Sequence, residues 1–250
     1  MSDKDNHIQY DKVSSGIFGY PVVDWNYLCE DISVEQILTH EKQCIEQYNA
    51  RYISLSLPCA KPYLISEFEE CGFKFIQHRL NIQKQLSSGS YNLYPFVFIP
   101  LSDKIQLKEL LKKCNKLFFD DRYSTDPTIA KSLSLQRNKQ FLINSFQNNN
   151  QRIYILWNRT RKTIDGFRTY DFSKKGVASV LLGGAVKNDK VFEYDKILNY
   201  LEMEVLFSMK IRKLSLVVST TNYPEINRYI SELGFKVLSS SVIMRKIIDS

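Results

Sequence analysis

The stretch Lys213–Phe235, KLSLVVSTTNYPEINRYISELGF, passes from a short apolar, β-branched run through Thr220-Thr221-Asn222 into an amphipathic segment. This predicts a strand, a cap and a helix. Asn222 is suited to the cap, because its side-chain oxygen can accept from a free first-turn amide, and Pro224 fits the first turn, where its missing N–H costs nothing. Gly234 stands where a helix ends on a left-handed residue, and Phe235, Val237, Val242 and Met244 then begin a returning strand. By itself this is a β-α-β unit of a kind found in many cores.

The same unit occurs earlier in the chain. Setting Gly72 on Gly234 aligns Arg51–Lys84 with Lys213–Lys246 without a gap: Pro62 falls on Pro224, Glu70 on Glu232, Gly72-Phe73-Lys74 on Gly234-Phe235-Lys236 and Lys84 on Lys246. Such self-similarity predicts two copies of one supersecondary unit.

Asn222, Ile226, Tyr229 and Gly234-Phe235 also stand at the spacing N-x3-A-x2-Y-x4-G-F, which resembles the signature of the GNAT N-acyltransferase superfamily. The resemblance implies an α/β (α+β) GNAT fold, a mixed sheet with flanking helices, whose C-terminal half binds acyl-CoA. It makes Tyr229 the residue beside the coenzyme A sulfur that protonates the leaving thiolate. Glu67 occupies the equivalent place in the first copy. Residues 1–88 are therefore expected to form a truncated GNAT-like domain that supplies walls or acceptor contacts, and residues 92–250 the catalytic domain, joined through the Ser/Gly-rich stretch Leu86–Tyr94.

With 250 residues, 44% hydrophobic and 13% aromatic, the chain has ample material for packed cores. No apolar run approaches the roughly 20 residues of a membrane span, and the start, MSDKDNHIQYDK, is too polar for a signal-peptide core, so a cytoplasmic protein is expected. The five cysteines include no C-x2-C pair, which predicts neither a disulfide framework nor a metal site. The net charge of +7 is scattered rather than clustered. That argues against nucleic acid and for small polyphosphates such as coenzyme A and nucleotide sugars.

Residues 1–15 read as a polar lead-in, and Ile17–Val23 as an irregular edge strand or loop. A helix is predicted over 33–48, a strand in RYISLSLP and a helix ending at Gly72. Further helices are predicted over Lys104–Phe119 and Pro127–Gln147, and then three strands over Ile153–Trp157, Thr163–Phe172 and Val177–Val186. The last strand contains Leu182-Gly183-Gly184, and a glycine pair inside a strand marks a bulge or a close backbone approach. In the resembling superfamily this strand splays from its parallel neighbour, so Leu182, Gly183, Gly184 and Val186 are implied to pair with pantetheine, with an amide aimed at the acyl oxygen. Next comes Lys187–Tyr194, without the glycines of the superfamily's pyrophosphate loop. A pseudoenzyme, an altered donor pose, or phosphate binding by helix amides with Lys187 and Lys190 are the alternatives, and the last is preferred here.

The segment Asp120–Pro127 resembles D-x-R-[FY]-x2-D-P of the branch that acylates dTDP-linked amino sugars in bacterial surface-polysaccharide pathways. That implies a nucleotide-linked amino sugar as acceptor, contacted by Arg122, Tyr123 and Asp171 and by the aromatics Phe18, Tyr20 or Trp25; read without the resemblance, the segment is a helix connector capped by Asp126. A carboxylate is the usual base for deprotonating an acceptor ammonium; Asp126, Asp121 and Asp171 are the candidates. No Ser-His-Asp, Cys-His or two-metal pattern occurs, so the amine attacks directly. The competing expectations are a tRNA-dependent aminoacyl transferase of peptidoglycan synthesis and a non-catalytic GNAT-like binding module.

Overall fold

A computed structural model describes residues 6–27, 32–59, 62–116, 121–186 and 191–248. In chain order the strands are β1 (Asn6–Tyr10), β2 (Val22–Tyr27), β3 (Tyr52–Pro58), β4 (Lys74–Gln85), β5 (Phe96–Pro100), β6 (Gln151–Asn158), β7 (Thr163–Asp171), β8 (Val177–Ala185), β9 (Lys213–Ser219) and β10 (Lys236–Ile247). The helices are α1 (Lys12–Phe18), α2 (Val34–Tyr48), α3 (Pro62–Glu70), α4 (Lys104–Lys113), α5 (Arg122–Thr125), α6 (Lys131–Gln147), α7 (Val191–Ser208) and α8 (Tyr223–Asn227). None of the described helices is long and apolar enough to cross a membrane.

Local chemistry accounts for most helix ends. The Ser33 hydroxyl accepts from the Gln36 amide while the Gln36 side chain accepts from the Ser33 amide, a complete capping box for α2. The segment expected as lead-in and edge strand contains α1 instead: Asp11 caps it by accepting from the Ser14 amide, and Gly19, at φ 79°, closes it. At the other predicted cap, the Asn222 side chain accepts from no backbone amide of the first turn; its Nδ2 instead donates to Glu225 Oε2 at 2.6 Å. The helix expected from Pro127 begins at Lys131, because Asp126 Oδ1 accepts from the Thr128 amide and hydroxyl and closes a separate turn first. The helix expected to reach Phe119 ends at Lys113 with a 3₁₀ turn, Cys114–Lys116, and residues 117–120 lie outside the described ones.

All the strands join one ten-stranded sheet in the order β1-β2-β3-β10-β4-β9-β8-β7-β6-β5. The pairs β2–β3 and β8–β9 are parallel, and the rest are antiparallel. The two repeats interlock. The return strand of the first, β4, pairs with β9 of the second, and β10 pairs with β3. At the centre Arg79 faces Ser241, its own repeat equivalent. On either side, Leu80 faces Ser240 and His78 faces Val242, the same pair after exchange of repeats. The two register shifts, between Val237 and Ser239 and between Ile243 and Met244, obey the same local two-fold.

Strand alternation sorts the cores by face. Leu80, Ile82, Leu216 and Val218 pack with Leu198, Leu206 and Tyr229 of the α7–α8 side. Val242 and Met244 of β10 complete the core formed by Trp25, Leu55, Leu64 and Phe68 beneath α2 and α3, so an apolar cluster of the first half contains residues of the last strand. On the opposite face α4 and α6 cover β6 and β7, and Phe18, Tyr52, Tyr123 and Ile129 form a smaller cluster.

Candidate functional site

Strands β8 and β9 pair only where Val177–Ser179 meets Lys213–Ser215, although β8 runs on to Ala185 and β9 to Ser219. Beyond Ser179 the two parallel strands separate, and the β9-facing edge of β8 has no strand partner. The glycine expected at a close approach is required there. A Cβ on Gly183 would lie 2.4 Å from the Phe167 carbonyl oxygen and 2.9 Å from Arg168 Cα. Leu182 packs on the α4–α6 core. The Val186 amide donates to the Asp165 carbonyl, and that of Ala185 to Asp195 Oδ1 at 2.9 Å in the second turn of α7. Lys187 and Lys190, expected at the phosphates, lie outside the described residues.

Gly183 faces Arg168 in the β7–β8 ladder. The Arg168 guanidinium is buried and gathers groups from both α7 and α8. Its Nη2 donates to the Tyr229 hydroxyl at 2.6 Å and to Asn199 Oδ1 at 3.0 Å, while Glu202 and Glu225 lie at 3.6 and 3.8 Å. The Tyr170 hydroxyl donates to Glu202 at 2.6 Å, and that of Tyr229 to Asn199 at 3.3 Å. After Asn227 the chain widens into a π turn, Arg228–Glu232, and consecutive Arg228 and Tyr229 are both buried. Arg228 faces Asp195 at 3.6 Å, which ties this turn to the start of α7.

Burial sets the electrostatics. It pushes the Tyr229 phenol well above its ordinary value, against the pull of Arg168, so the group is protonated at neutral pH and can give a proton but not accept one. Burial likewise raises Glu202 and Glu225, and Arg168 partly reverses it. Burial opposes the charge on Arg168, but Tyr229, Glu202 and Glu225 hold its pKa above the usual arginine value. Arg168, Asn199, Glu202 and Glu225 were not singled out in the sequence. The available signal was a charge at an otherwise apolar position, Arg168 between Phe167 and Thr169 and Glu202 between Leu201 and Met203.

The expected acceptor residues stand on the opposite sheet face, and their carboxylates are occupied. Asp121 caps α5, accepting from the Tyr123 and Ser124 amides and from Asn138 Nδ2. Asp126, only 2% exposed, accepts from the Tyr52 hydroxyl at 2.7 Å, from Arg245 Nε at 3.2 Å and from Thr128. Asp171 accepts from the Ser173 amide at 2.6 Å. None of the three bonds to Tyr229. Arg122 donates to Asp24 at 2.8 Å and to Ser54 at 3.0 Å, and Tyr123 is buried between Arg122 and Arg137, its hydroxyl donating to Asp11. Phe18 packs edge-on against Tyr123, and Tyr20 packs beside it, half-buried. Trp25 is a correction. It is fully buried among His40, Phe68 and Phe73, because its strand position points to the α2–α3 side, so its ring has no face for a ligand.

The chain matches no family model and no curated protein. Among solved structures it resembles a functionally unknown conserved protein from Staphylococcus epidermidis ATCC 12228, with a TM-score of 0.70 and 12% identity over 100% of this chain and 93% of that one. A GCN5-related N-acetyltransferase from Sphaerobacter thermophilus superposes with a TM-score of 0.62 and 11% identity, over 98% of this chain and 78% of that one. A tandem GNAT protein from the clavulanic acid biosynthesis pathway gives 0.62 and 9%, over 93% and 77%. The fold is thus that of GCN5-related N-acetyltransferases, a mixed sheet with flanking helices.

Proposed function

We propose that this protein is an acyl-CoA-dependent N-acyltransferase working at the opening between β8 and β9, with a nucleotide-linked amino sugar as acceptor. One observation carries the reading: Gly183, on the unpaired part of β8, faces Arg168, and Arg168 holds the Tyr229 hydroxyl. The opening strand edge and a proton donor are thereby brought to one place.

The exposed edge around Leu182–Gly184 suits the amide groups of pantetheine, which need strand-like partners, and the acyl group would lie toward Tyr229. The acceptor nitrogen attacks the thioester carbonyl carbon, the C–S bond breaks, and Tyr229 gives its proton to the departing sulfur. The phenolate so formed is stabilised by the Arg168 guanidinium, already at hydrogen-bond distance in the resting protein. Asp121, Asp126 and Asp171 are committed to structural bonds, so this reading sends the attacking nitrogen's proton to solvent. Lys187 and Lys190 are assigned to the coenzyme A phosphates, and Arg122 and Tyr20 to the acceptor. The sugar nucleotide rests on the Asp120–Pro127 resemblance.

A second reading has its own support. Tyr229 is 1% exposed, and Arg168 with its carboxylates bridges α7 to α8, which fits a GNAT-like binding module without turnover. Calorimetric titration with acetyl-CoA, followed by mass spectrometry of a reaction with a dTDP-amino sugar, separates the two. Binding with formation of the amide supports the enzyme; binding without product from any amine supports the module; no binding sinks both.

A further inference from the structure

We infer that Arg79 is the anchor of an anion-binding groove on the sheet face opposite α7 and α8, taking the phosphoryl or carboxylate group of a small molecule. As an acceptor subsite it rests on the acyl-transfer reading, but as an anion site it stands without it.

The groove is marked by an uncovered interior strand. β9 is the sixth of ten strands, yet Val217 on this face is 53% exposed. Strand pairing extends the same floor sideways: Asn81 faces Val217, Arg79 faces Ser219, and Ser241 faces Arg79. Helix α5 packs on β4 and brings Arg122 to the side of Arg79.

Among the described residues, the two arginines there are not equally partnered. Arg122 has its partners, Asp24 Oδ2 and Ser54 Oγ. Asp24 Oδ1 is bonded to nothing described, and Asp24 acts on Arg79 only as a nearby opposite charge. The Arg79 Nε is buried and has no hydrogen-bond partner among the described residues. Burial, followed by the charge of Arg122, brings its guanidinium down to about 10 against the opposing pull of Asp24, so it remains a cation at neutral pH beside a second one. A buried guanidinium nitrogen with no partner among the described residues, next to a like charge, is costly, and the planar fork of an arginine matches the two oxygens of a phosphoryl or carboxylate group.

The fold does not call for an arginine at this place. The equivalent position on the local two-fold is Ser241, which makes the same strand pairing without a charge. The asymmetry therefore serves something outside the sheet, and a floor of small side chains, Ser219, Ser241 and Val217, leaves room for it.

Calorimetric titration of the full chain with inorganic pyrophosphate and, separately, with glutarate tests the inference and tells a phosphoryl from a carboxylate source. Binding of either probe to wild type is expected, weakened about tenfold or more in Arg79→Gln and in Val217→Glu, and partly kept in Arg79→Lys. Val217 is exposed, so its substitution probes the groove without disturbing a core. Coenzyme A titrated into the same variants should be unaffected. If neither probe binds wild type, or if folded Arg79→Gln and Val217→Glu bind as wild type does, the inference is wrong. If the anions bind through Arg79 while coenzyme A does not bind at all, the acyl-transfer reading fails and the anion site survives.

Discussion

Lys246 donates from its ammonium to the backbone carbonyl of Cys71 at 2.7 Å, and its repeat equivalent Lys84 donates to the carbonyl of Leu233, the equivalent of Cys71. Each lysine comes from the return strand of one repeat and satisfies the end of the helical segment of the other, where carbonyls lack partners and the helix dipole favours a cation. The glycines that follow, Gly72 at φ 87° and Gly234 at φ 71°, turn the chain out of the helix beside these ammonium groups. The exchange of strands between repeats is thus locked twice by the same contact.

The two lysines differ in one respect, which sets a prediction. Lys246 also bonds Glu41, a largely buried carboxylate, whereas Lys84 has no such partner among the described residues. Lys84→Met is expected to cost about 1 kcal/mol, and Lys246→Met about 3 kcal/mol, because it also strands a carboxylate. Urea unfolding of the two variants measures the difference; equal losses would mean that the Glu41 pair contributes nothing.

Gly183→Ala should destabilise the protein by about 2 kcal/mol or more, since the added carbon meets backbone on β7 that has no room to retreat. Gly184→Ala meets no atom within 4 Å and shares only the backbone strain of the same φ, 159° at both glycines, so it should cost less than Gly183→Ala. Thermal unfolding of both, compared side by side, checks the assignment of the close approach to Gly183 alone.

Tyr229→Phe keeps the ring that packs on Phe235 at 4.9 Å and removes only the hydroxyl. The expected result is a kcat lowered about 10² to 10⁴-fold, the usual worth of a general acid, with acyl-CoA affinity within a few-fold of wild type. Unchanged turnover under rate-limiting chemistry would return Tyr229 to a packing role.

Acid and base limbs of stability should have opposite origins. Glu202 and Glu225 are raised by burial above the ordinary 4.5, so the folded state holds their protons more tightly, and their contribution to stability is lost as pH rises from about 4.5 through their folded values. Asp11 is lowered below 3.8: burial works against this, but the bonds from Ser14 and the charges of Arg137 and Arg122 outweigh it. Its contribution is present above 3.8 and lost as pH falls through its folded value. As pH rises above about 4.5 the unfolding free energy of wild type should therefore decline more than that of Glu202→Gln, while Asp11→Asn should flatten only the acid limb. Parallel profiles for wild type and Glu202→Gln would contradict the first statement.

The sequence alone carried the strand-helix-strand unit, its repeat, the β6–β8 meander and a bulge or close approach at the Gly183-Gly184 pair, because capping residues, glycine stops and two-residue alternation act over a few neighbours; that the close approach falls on Gly183 was decided by the structure. The role of Tyr229 was implied by the resemblance of Asn222–Phe235 to a superfamily signature, not by the local physics of the chain. Helix α1 was missed, since its signals, Asp11 and Gly19, bracket only seven residues. Which return strand lies beside which first strand was decided by the tertiary structure, since each strand pattern is equally satisfied by either neighbour. Packing across the sheet likewise buried Trp25, committed Asp121 and Asp126 to caps and ion pairs, and drew Arg168, Glu202 and Tyr229 from three distant segments into one network. Those contacts depend on which faces meet, and a face acquires its partner only when the chain has folded.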